Sequence, residues 1–508
     1  MLDRRDFLRL SAAGASLVTP AATLAQPAPP PGVEPARFGA ATVRDIAREL
    51  SRKPYAAPAN DLPAPFNNLA YDQYVGIRMR PEAALWAGEG LAFVVEPLHR
   101  GAAFWQTTTV HVVENGLARP LGYDPAAFDF GRLTPPARLP ALGFSGLRIL
   151  RVRQDGPPVE TALFQGASTF RAVARGQNSG VMARALAIAT AEPKGEQFPY
   201  FPALWIERPA AAAPALTLHA LLDSESVTGA YRFTLRPGDA TVVDVEATLF
   251  PRVALDHVGL APMQATSLFG PLDRRRADDP RAAVYEVSGL QMETGAGEYV
   301  WRPVSNRESL QISSFVDQNP KRFGLVQRER DFDRFFDDDQ HWELRPTLLV
   351  EPIGEWGAGG VQLVEIPADS EANDNVIAYW RPKAPLAAGA EIALAYRQIW
   401  CWDPPEPPPL AIATLSRSGR IGATRRRRFI VEFTGPVFAD PPADLRADVT
   451  AQPGAITLVR TFLARERKRM RVVFDLDPAQ LPACELRLVL VAGGKPLTET
   501  WLYRWTTQ

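Results

Sequence analysis

The sequence predicts an all-β protein with a large N-terminal β-sandwich and a smaller C-terminal immunoglobulin-like β-sandwich. Most regular segments are short, rich in β-branched and aromatic residues, and separated by Gly and Pro, as is typical of antiparallel strands. Helical spacing over more than ten residues is rare, so alternating βαβ units are not expected. A chain of 508 residues is also too long for one compact core.

The first regular element is a helix, predicted over residues 41–52 because its apolar residues recur on one face. Strands are predicted after it in LAFVVEPL, TTTVHVVENG, GLRILRVR, ALTLHALL, GAYRFTLRPGDATVVDVEATLF, VQLVEIP and NVIAYW. These segments assign residues 26–400 to the large sandwich.

A proline-rich segment, CWDPPEPPPLA, occupies residues 401–411 and is predicted to form a semi-rigid linker, because prolines cannot continue a sheet. Residues 412–508 contain further strand-like segments, and a length of about 100 residues fits one immunoglobulin-like domain. The run Arg425–Arg428 comes just before the first clear strand there. We interpret it as a solvated edge, with contact to a polyanion or a membrane as the alternative.

Composition narrows the class of partner and cofactor. Lys and Arg number 56 and Asp and Glu 57, so the net charge favours a neutral partner such as a sugar over nucleic acid. The five histidines show no HxH or HExxH spacing, and we predict no metal site and no cofactor. The two cysteines, Cys401 and Cys484, either form one bridge or remain buried thiols.

The N-terminus has the features of an export signal. MLDRRDFLRLSAAGASLVTPAATLA places Arg4 and Arg5 before a short Ala-rich apolar stretch and small residues, and RRxFL resembles a twin-arginine signal. We therefore predict a signal peptide over residues 1–25 and a periplasmic location reached by the twin-arginine route. No later segment is long and apolar enough to cross a membrane, so a transmembrane protein is not expected.

One acidic residue lies between two amides at the start of a predicted strand. EANDNVIAYWRP places Asp374 between Asn373 and Asn375. Asn and Asp favour turns because they hydrogen-bond their own backbone. The alternative is a catalytic acid, oriented by amides that add no charge.

Several long stretches carry a resemblance to a known family. They are YDQYVGIRMRPEAALW, FQGASTFRA, LAIATAEPKGEQFPYFPALWIERP, ALLDSESVTGAYRF, SSFVDQNPKRFGLVQRERDFDRF, RPTLLVEPIGEWGAGGVQLVEIP and EANDNVIAYWRP. The chain resembles the periplasmic glucan biosynthesis proteins G and D, and its twin-arginine pattern points to the D type. The resemblance implies a galactose-mutarotase-like β-sandwich with a long cleft, an immunoglobulin-like C-terminal domain, and activity on β-1,2-linked glucan.

The resemblance also implies a pair of catalytic carboxylates. Inverting glycosidases use one carboxyl group as acid and another as base, separated to leave room for a water molecule. The family's acid lies in a TNDN motif, which corresponds to Asp374. Its base lies in a segment of the form H-D-S-x-G-L, where this chain reads YEVSGL. Glu286 therefore takes the position of the base, with a solvated strand residue as the alternative.

Candidate sugar contacts are aromatic, basic or amide residues. Trp342 stands where the family usually has Tyr and offers an apolar face for stacking on glucose. The other candidates are Trp301, Arg328, Tyr285, Asn373 and Asn375. A core or scaffold role is the alternative for the aromatic and basic candidates.

Three functions follow from these observations. The first is an inverting endo-β-1,2-glucanase. The second is a transglycosylase or cyclising enzyme on the same glucan, suggested by Glu286 and Trp342, which depart from the family pattern. The third is a non-catalytic glucan-binding scaffold for a membrane glucan synthase, with the immunoglobulin-like domain as its docking surface.

Overall fold

The structure is a computed structural model that describes residues 34–136, 138–273 and 278–507. The predicted signal peptide lies outside the described residues. Within them, regular structure is almost entirely β, which confirms the all-β prediction.

The described residues form 34 strands. The first twelve are β1 (Ala36–Arg37), β2 (Arg78–Met79), β3 (Phe93–His99), β4 (Thr109–Glu114), β5 (Leu117–Pro120), β6 (Phe128–Asp129), β7 (Phe144–Arg151), β8 (Val159–Gln165), β9 (Thr169–Ala172), β10 (Met182–Arg184), β11 (Leu186–Ile188) and β12 (Tyr200–Glu207). The next fourteen are β13 (Leu216–Asp223), β14 (Val227–Arg236), β15 (Thr241–Pro251), β16 (Val258–Ala265), β17 (Ser267–Phe269), β18 (Val284–Tyr285), β19 (Gly289–Glu293), β20 (Tyr299–Pro303), β21 (Gln311–Gln318), β22 (Arg322–Val326), β23 (Thr347–Ile353), β24 (Ala358–Glu365), β25 (Val376–Pro382) and β26 (Ile392–Cys401). The last eight are β27 (Ile412–Arg420), β28 (Arg427–Thr434), β29 (Arg446–Gln452), β30 (Ala455–Ala464), β31 (Arg469–Asp477), β32 (Ala483–Ala492), β33 (Lys495–Pro496) and β34 (Thr500–Thr506).

Helices are few and short in the described chain. α1 (Thr42–Ser51) confirms the helix predicted over 41–52, and its buried residues Val43 and Ala47 pack in a small core with Trp205. α2 spans Tyr71–Val75. The 3-10 helices are Phe66–Asn68, Pro81–Ala83, Pro125–Ala127, Phe332–Arg334, Trp342–Leu344, Pro436–Ala439 and Arg465–Arg467.

Two large sheets form the main sandwich. The described part of the first has sixteen strands, ordered β1-β5-β4-β12-β13-β14-β15-β26-β23-β22-β19-β20-β34-β32-β29, with β33 beside β32. The described part of the second has ten, ordered β21-β24-β25-β16-β10-β9-β8-β7-β3, with β11 beside β16. Their inner faces share the main core, where the Phe233 ring lies 5.0 Å from the rings of Phe164 and Phe170.

The C-terminal strands complete a second sandwich. β27, β28, β31 and β30 form a four-stranded sheet, and its inner residues share a core with Trp501 and Tyr503 of β34. Because β20 pairs in parallel with β34, the C-terminal strands extend the sixteen-stranded sheet. No strand lies between the end of β26 at Cys401 and the start of β27 at Ile412, a fully described segment, and the predicted domain limits stay a prediction. Cys401 and Cys484 are free, buried thiols.

Candidate active site

The two predicted catalytic residues meet at the end of β16. Because Ala265 of β16 pairs with Val376 of β25, the residue that follows β16 lies beside the loop that precedes β25. That residue is Thr266, whose hydroxyl donates to the backbone carbonyl of Asn373 at 3.1 Å and lies 3.4 Å from Oδ1 of Asp374.

The Asp374 carboxyl group is half-buried and held by a neutral donor. The side-chain amide of Gln264 donates to Oδ2 of Asp374, and the Gln264 carbonyl accepts from Nε of Arg184. Burial raises the pKa of Asp374, while the Gln264 hydrogen bond and the charge of Arg184 oppose the rise. This environment orients a carboxyl group and favours its protonated form, as a general acid requires.

The two flanking asparagines have different surroundings. Asn375 is buried, accepts from the backbone N–H of Ser267 at 2.7 Å and donates to its carbonyl at 2.9 Å. These bonds fix the loop to β17, so the structure assigns Asn375 to holding the backbone, in place of the substrate contact predicted for it. The side chain of Asn373 is exposed and remains a candidate contact.

Glu286 follows β18 and is bound to the same threonine. Its backbone N–H donates to the carbonyl of Thr266 at 2.9 Å, and its Oε2 accepts from the Thr266 N–H at 3.2 Å. Nη1 of Arg345 lies 3.8 Å from Oε1 of Glu286. Burial raises the pKa of Glu286 to about 7, Arg345 opposes the rise, and the charge of Asp374 adds to it. Thr266 therefore links the two carboxyl groups, and the charge of Asp374 raises the pKa of Glu286.

Both carboxyl groups lie at the outer face of the ten-stranded sheet. Met263 and Ala265 point into the main core, so Gln264 between them points outward. Arg148, Arg171 and Arg184 lie between core residues in the same way and are paired with acids on this outer face. A polar sheet face next to two acids suits a ligand rich in hydroxyl groups.

Trp342 lies behind this site. It is 2 % exposed, its indole N–H donates to Asp337 Oδ2 at 2.8 Å, and the Arg345 guanidinium lies 5.0 Å from its ring centroid. The burial argues against the predicted stacking on a sugar ring, because the indole face is covered by protein. The structure instead assigns Trp342 to supporting Arg345.

The loops around the site are joined by one guanidinium. Arg281 lies 2.8 Å from Asp337 and 2.7 Å from Glu371. Since Glu371 belongs to the loop that carries Asp374, the Arg281 side chain connects that loop to the one that supports Trp342.

Three predicted sugar contacts lie elsewhere, around a cavity between β18 and the C-terminal strands: Tyr285, Trp301 and Arg328. The Arg328 guanidinium lies 3.4 Å from the Trp301 ring centroid and pairs with Glu499 at 2.6 Å. Tyr285 packs against Phe335 at 4.9 Å between ring centroids. All three side chains are largely buried, and they line the junction between the sandwiches, where Tyr285 is the chain neighbour of Glu286.

Sequence reasoning missed Thr266, Gln264, Arg184 and Arg345. Arg345 lies in a stretch that carries the family resemblance, which was its one available signal. Thr266 and Gln264 reach Asp374 from more than 100 residues away in the chain, a separation that short motifs do not encode.

Residues 34–136, 138–273 and 278–507 contain no group of three or more His, Cys, Asp or Glu side chains placed to hold a metal ion. None of their helices has the length and apolar character needed to cross a membrane.

Comparison with known proteins gives concordant matches. The model of the family described as periplasmic glucan biosynthesis protein, MdoG, matches residues 38–505. Glucans biosynthesis protein G of Rhodopseudomonas palustris strain BisA53 is 45% identical over 475 residues, covering 93% of this chain and 94% of that protein. The protein of the same name from Shewanella frigidimarina is 43% identical over 478 residues, covering 93% and 85%. Both relatives are named G, and the D-type assignment stays a prediction.

A solved structure titled as a galactose mutarotase related enzyme from Lactobacillus acidophilus covers 50% of this chain and 94% of its own, at 9% identity and a TM-score of 0.21. A likeness of this size carries no argument about fold or function. The family match and the relatives agree over nearly the whole described chain, and the chain belongs to the periplasmic glucan biosynthesis protein family.

Proposed function

We propose that this protein cleaves β-1,2-linked glucan with inversion, using Asp374 as general acid and Glu286 as general base. The observation that carries the proposal is the pair of half-buried carboxyl groups joined through Thr266. Each has a pKa raised by burial. Such pairs are the machinery of inverting glycosidases, and raised pKa values mark groups that exchange protons near neutral pH.

In the proposed reaction, Asp374 donates its proton to the glycosidic oxygen as the bond between that oxygen and the anomeric carbon breaks. Glu286 takes a proton from a water molecule, whose oxygen bonds to the anomeric carbon from the opposite face. The products are a new non-reducing end and a new reducing end of inverted configuration. Each carboxyl group regains its starting state by exchanging one proton with solvent.

The neighbouring residues have distinct roles in this scheme. Gln264 fixes the rotamer of Asp374 through a single amide donor. Arg345 lowers the pKa of Glu286 and so increases the fraction of ionised base. Thr266 sets the separation of the two groups, which matters because misplacement by about 1 Å costs about a hundredfold in rate.

The location and partners belong to the same proposal. We infer export to the periplasm by the twin-arginine route, with β-1,2-glucan as the substrate. The family's role in glucan biosynthesis fits an enzyme that trims or remodels the product of a membrane glucan synthase.

The test compares the protein lacking residues 1–25 with its Asp374→Asn variant on linear β-1,2-glucan. We expect Asp374→Asn to lower the release of reducing ends by about a thousandfold, because the proton donor is lost, while glucan binding is retained. Asp338→Asn is the matched control, since Asp338 lies exposed in a nearby loop and the substitution is chemically the same. NMR of the newly formed reducing ends then reports inversion or retention.

The same experiment separates the competing functions. Products of altered length, or lighter by one water, without new reducing ends would establish transfer or cyclisation by the same residues. Glucan binding without any product in the wild-type protein would contradict the enzyme and favour a scaffold.

A further inference from the structure

Charge is divided unevenly along the chain. Residues 412–508 contain 16 Lys and Arg against 9 Asp and Glu, a formal charge of +7. Residues 1–411 contain 40 against 48, a formal charge of −8. The near-neutral total therefore hides a molecule with two regions of opposite sign, and the positive region coincides with the C-terminal sandwich.

Much of this positive charge lies on one face of the four-stranded sheet. Phe429, Val431 and Phe433 of β28 point into the C-terminal core, so the alternating residues point outward. The register across β27, β28, β31 and β30 places five arginines on that outer side. We call these residues the basic face: Arg417, Arg428, Arg460, Arg469 and Arg471.

The acidic residues on this side offset only part of the charge. Glu432 lies 3.1 Å from Arg469 and 2.9 Å from Arg471, and it is largely buried beneath them. Asp475 is likewise largely buried and lies 2.7 Å from Arg428. Glu432 and Asp475 thus offset two of the five arginines, and Asp477 on the same side of β31 lies 4.0 Å from Arg426. The adjoining turn adds three cations, Arg465, Arg467 and Lys468, against one acid, Glu466.

An exposed aromatic side chain lies on the basic face. β30 is an edge strand of the sheet, and its Phe462 is 52 % exposed and shares a cross-strand row with Arg471. Val459 and Leu463 are exposed on the same strand but pair with the core residues Phe474 and Met470, so they point to the other side of the sheet. An exposed Phe among cations is typical of surfaces that bind the headgroup region of a membrane.

We propose that the basic face docks on an anionic phospholipid surface. The arginines are spread over all four strands of an open sheet, which suits an extended anionic surface better than a compact ligand. The rest of the chain carries net negative charge and is repelled by the same surface. The charge distribution therefore orients the protein, with its C-terminal sandwich on the lipid and the large sandwich turned away.

The test uses vesicles and the full chain lacking residues 1–25. Sedimentation with vesicles of phosphatidylcholine alone is compared with vesicles containing phosphatidylglycerol, at low and at physiological salt. We expect binding to the anionic vesicles that weakens with salt. The variant R417Q/R460Q/R467Q, which alters two arginines of the basic face and one of the adjoining turn, should lower the partition coefficient by about a hundredfold, because each basic side chain contributes several-fold.

A matched control removes the same charge elsewhere. R44Q/R446Q/K495Q alters three exposed cations outside the basic face and should lower binding by less than fivefold. Thermal unfolding of both triple variants checks that each remains folded. Equal losses in the two variants, equal binding to neutral vesicles, or no binding to anionic vesicles would each overturn the proposal. Binding to soluble heparin with no binding to vesicles would identify a soluble polyanion in place of lipid.

Discussion

Two arginine–tryptophan pairs in this molecule are chemically alike and differ in what surrounds them. Arg345 lies 5.0 Å from the Trp342 ring and faces Glu286 at 3.8 Å. Arg328 lies 3.4 Å from the Trp301 ring and pairs with Glu499 at 2.6 Å. The first pair borders the two half-buried carboxyl groups, whereas the second lies in the junction between the sandwiches.

The difference lies in the acid that each guanidinium meets. Glu499 is fully buried and bound by both terminal nitrogens of Arg328. That ion pair is therefore bidentate and inaccessible to solvent, and its role is structural. Glu286 accepts a hydrogen bond from the Thr266 N–H and lies 3.8 Å from Arg345, a longer contact than that of the Arg328–Glu499 pair, and burial raises its pKa to about 7. An acid such as Glu286, with a raised pKa and a long contact to its cation, is available for proton transfer. An acid such as Glu499, held in a buried bidentate ion pair, is not.

The largest expected effect is on stability, at the junction. Arg328→Met leaves Glu499 buried without its cation, which should lower the free energy of unfolding by about 3–5 kcal/mol. Urea unfolding measures the loss. Turnover of β-1,2-glucan at a temperature where the variant is folded should stay within about twofold of wild type, because the Arg328 guanidinium is engaged by Glu499, Gln291 and the carbonyl of Ala413.

Arg328→Met/Glu499→Leu is the control for this prediction. Replacing both charges by apolar side chains should recover most of the lost stability, since no buried charge is left unpaired. A tenfold rise in KM for the folded single variant would indicate that Arg328 contributes to substrate binding. It would contradict the distinction between the two pairs.

The next effect is on the pH dependence of activity, at the pair of Arg345 and Trp342. If Glu286 is the base, turnover rises with pH as that group ionises, through its pKa of about 7. Arg345 lowers this pKa, so Arg345→Met should raise it. The rising limb of the pH–activity profile should therefore shift to higher pH by about one pH unit. Initial rates between pH 5 and 9 measure the shift.

Arg345→Lys separates charge from geometry in this prediction. It retains the cation, so its rising limb should stay close to that of wild type even where its overall rate is lower. If the rising limb of Arg345→Met lies at the same pH as that of wild type, ionisation of Glu286 does not determine the limb. That result would contradict the assignment of Glu286 as the general base.

The two pairs also show where sequence reasoning succeeds. Short strands and the helix over α1 are predicted correctly because their signals are local in the chain, whereas the role of Asp374, which a family motif suggests, stays a prediction. Trp301, Trp342 and Arg328 are predicted as sugar contacts from residue type, which does not reveal that their side chains are buried. Thr266 and Gln264 were missed because their contacts depend on pairing β16 with β25, which no local pattern specifies.

The smallest effect concerns Trp342 itself. Trp342→Phe removes the indole N–H that donates to Asp337, but Asp337 keeps Arg281 and the backbone N–H groups of Asp339 and Gln340. The cost should therefore be one hydrogen bond and a little packing, about 1 kcal/mol in the free energy of unfolding.

Oligosaccharide binding gives this last prediction its meaning. If Trp342 only supports Arg345, the Kd of Trp342→Phe for a β-1,2-linked oligosaccharide should stay within about twofold of wild type, and that of Trp342→Tyr likewise. Calorimetric titration measures both. Weakening of tenfold or more in both variants, with little loss of stability, would mean that the indole reaches the sugar. In that case the pair of Arg345 and Trp342, unlike the pair of Arg328 and Trp301, would contact substrate through its aromatic ring as well as act through its cation.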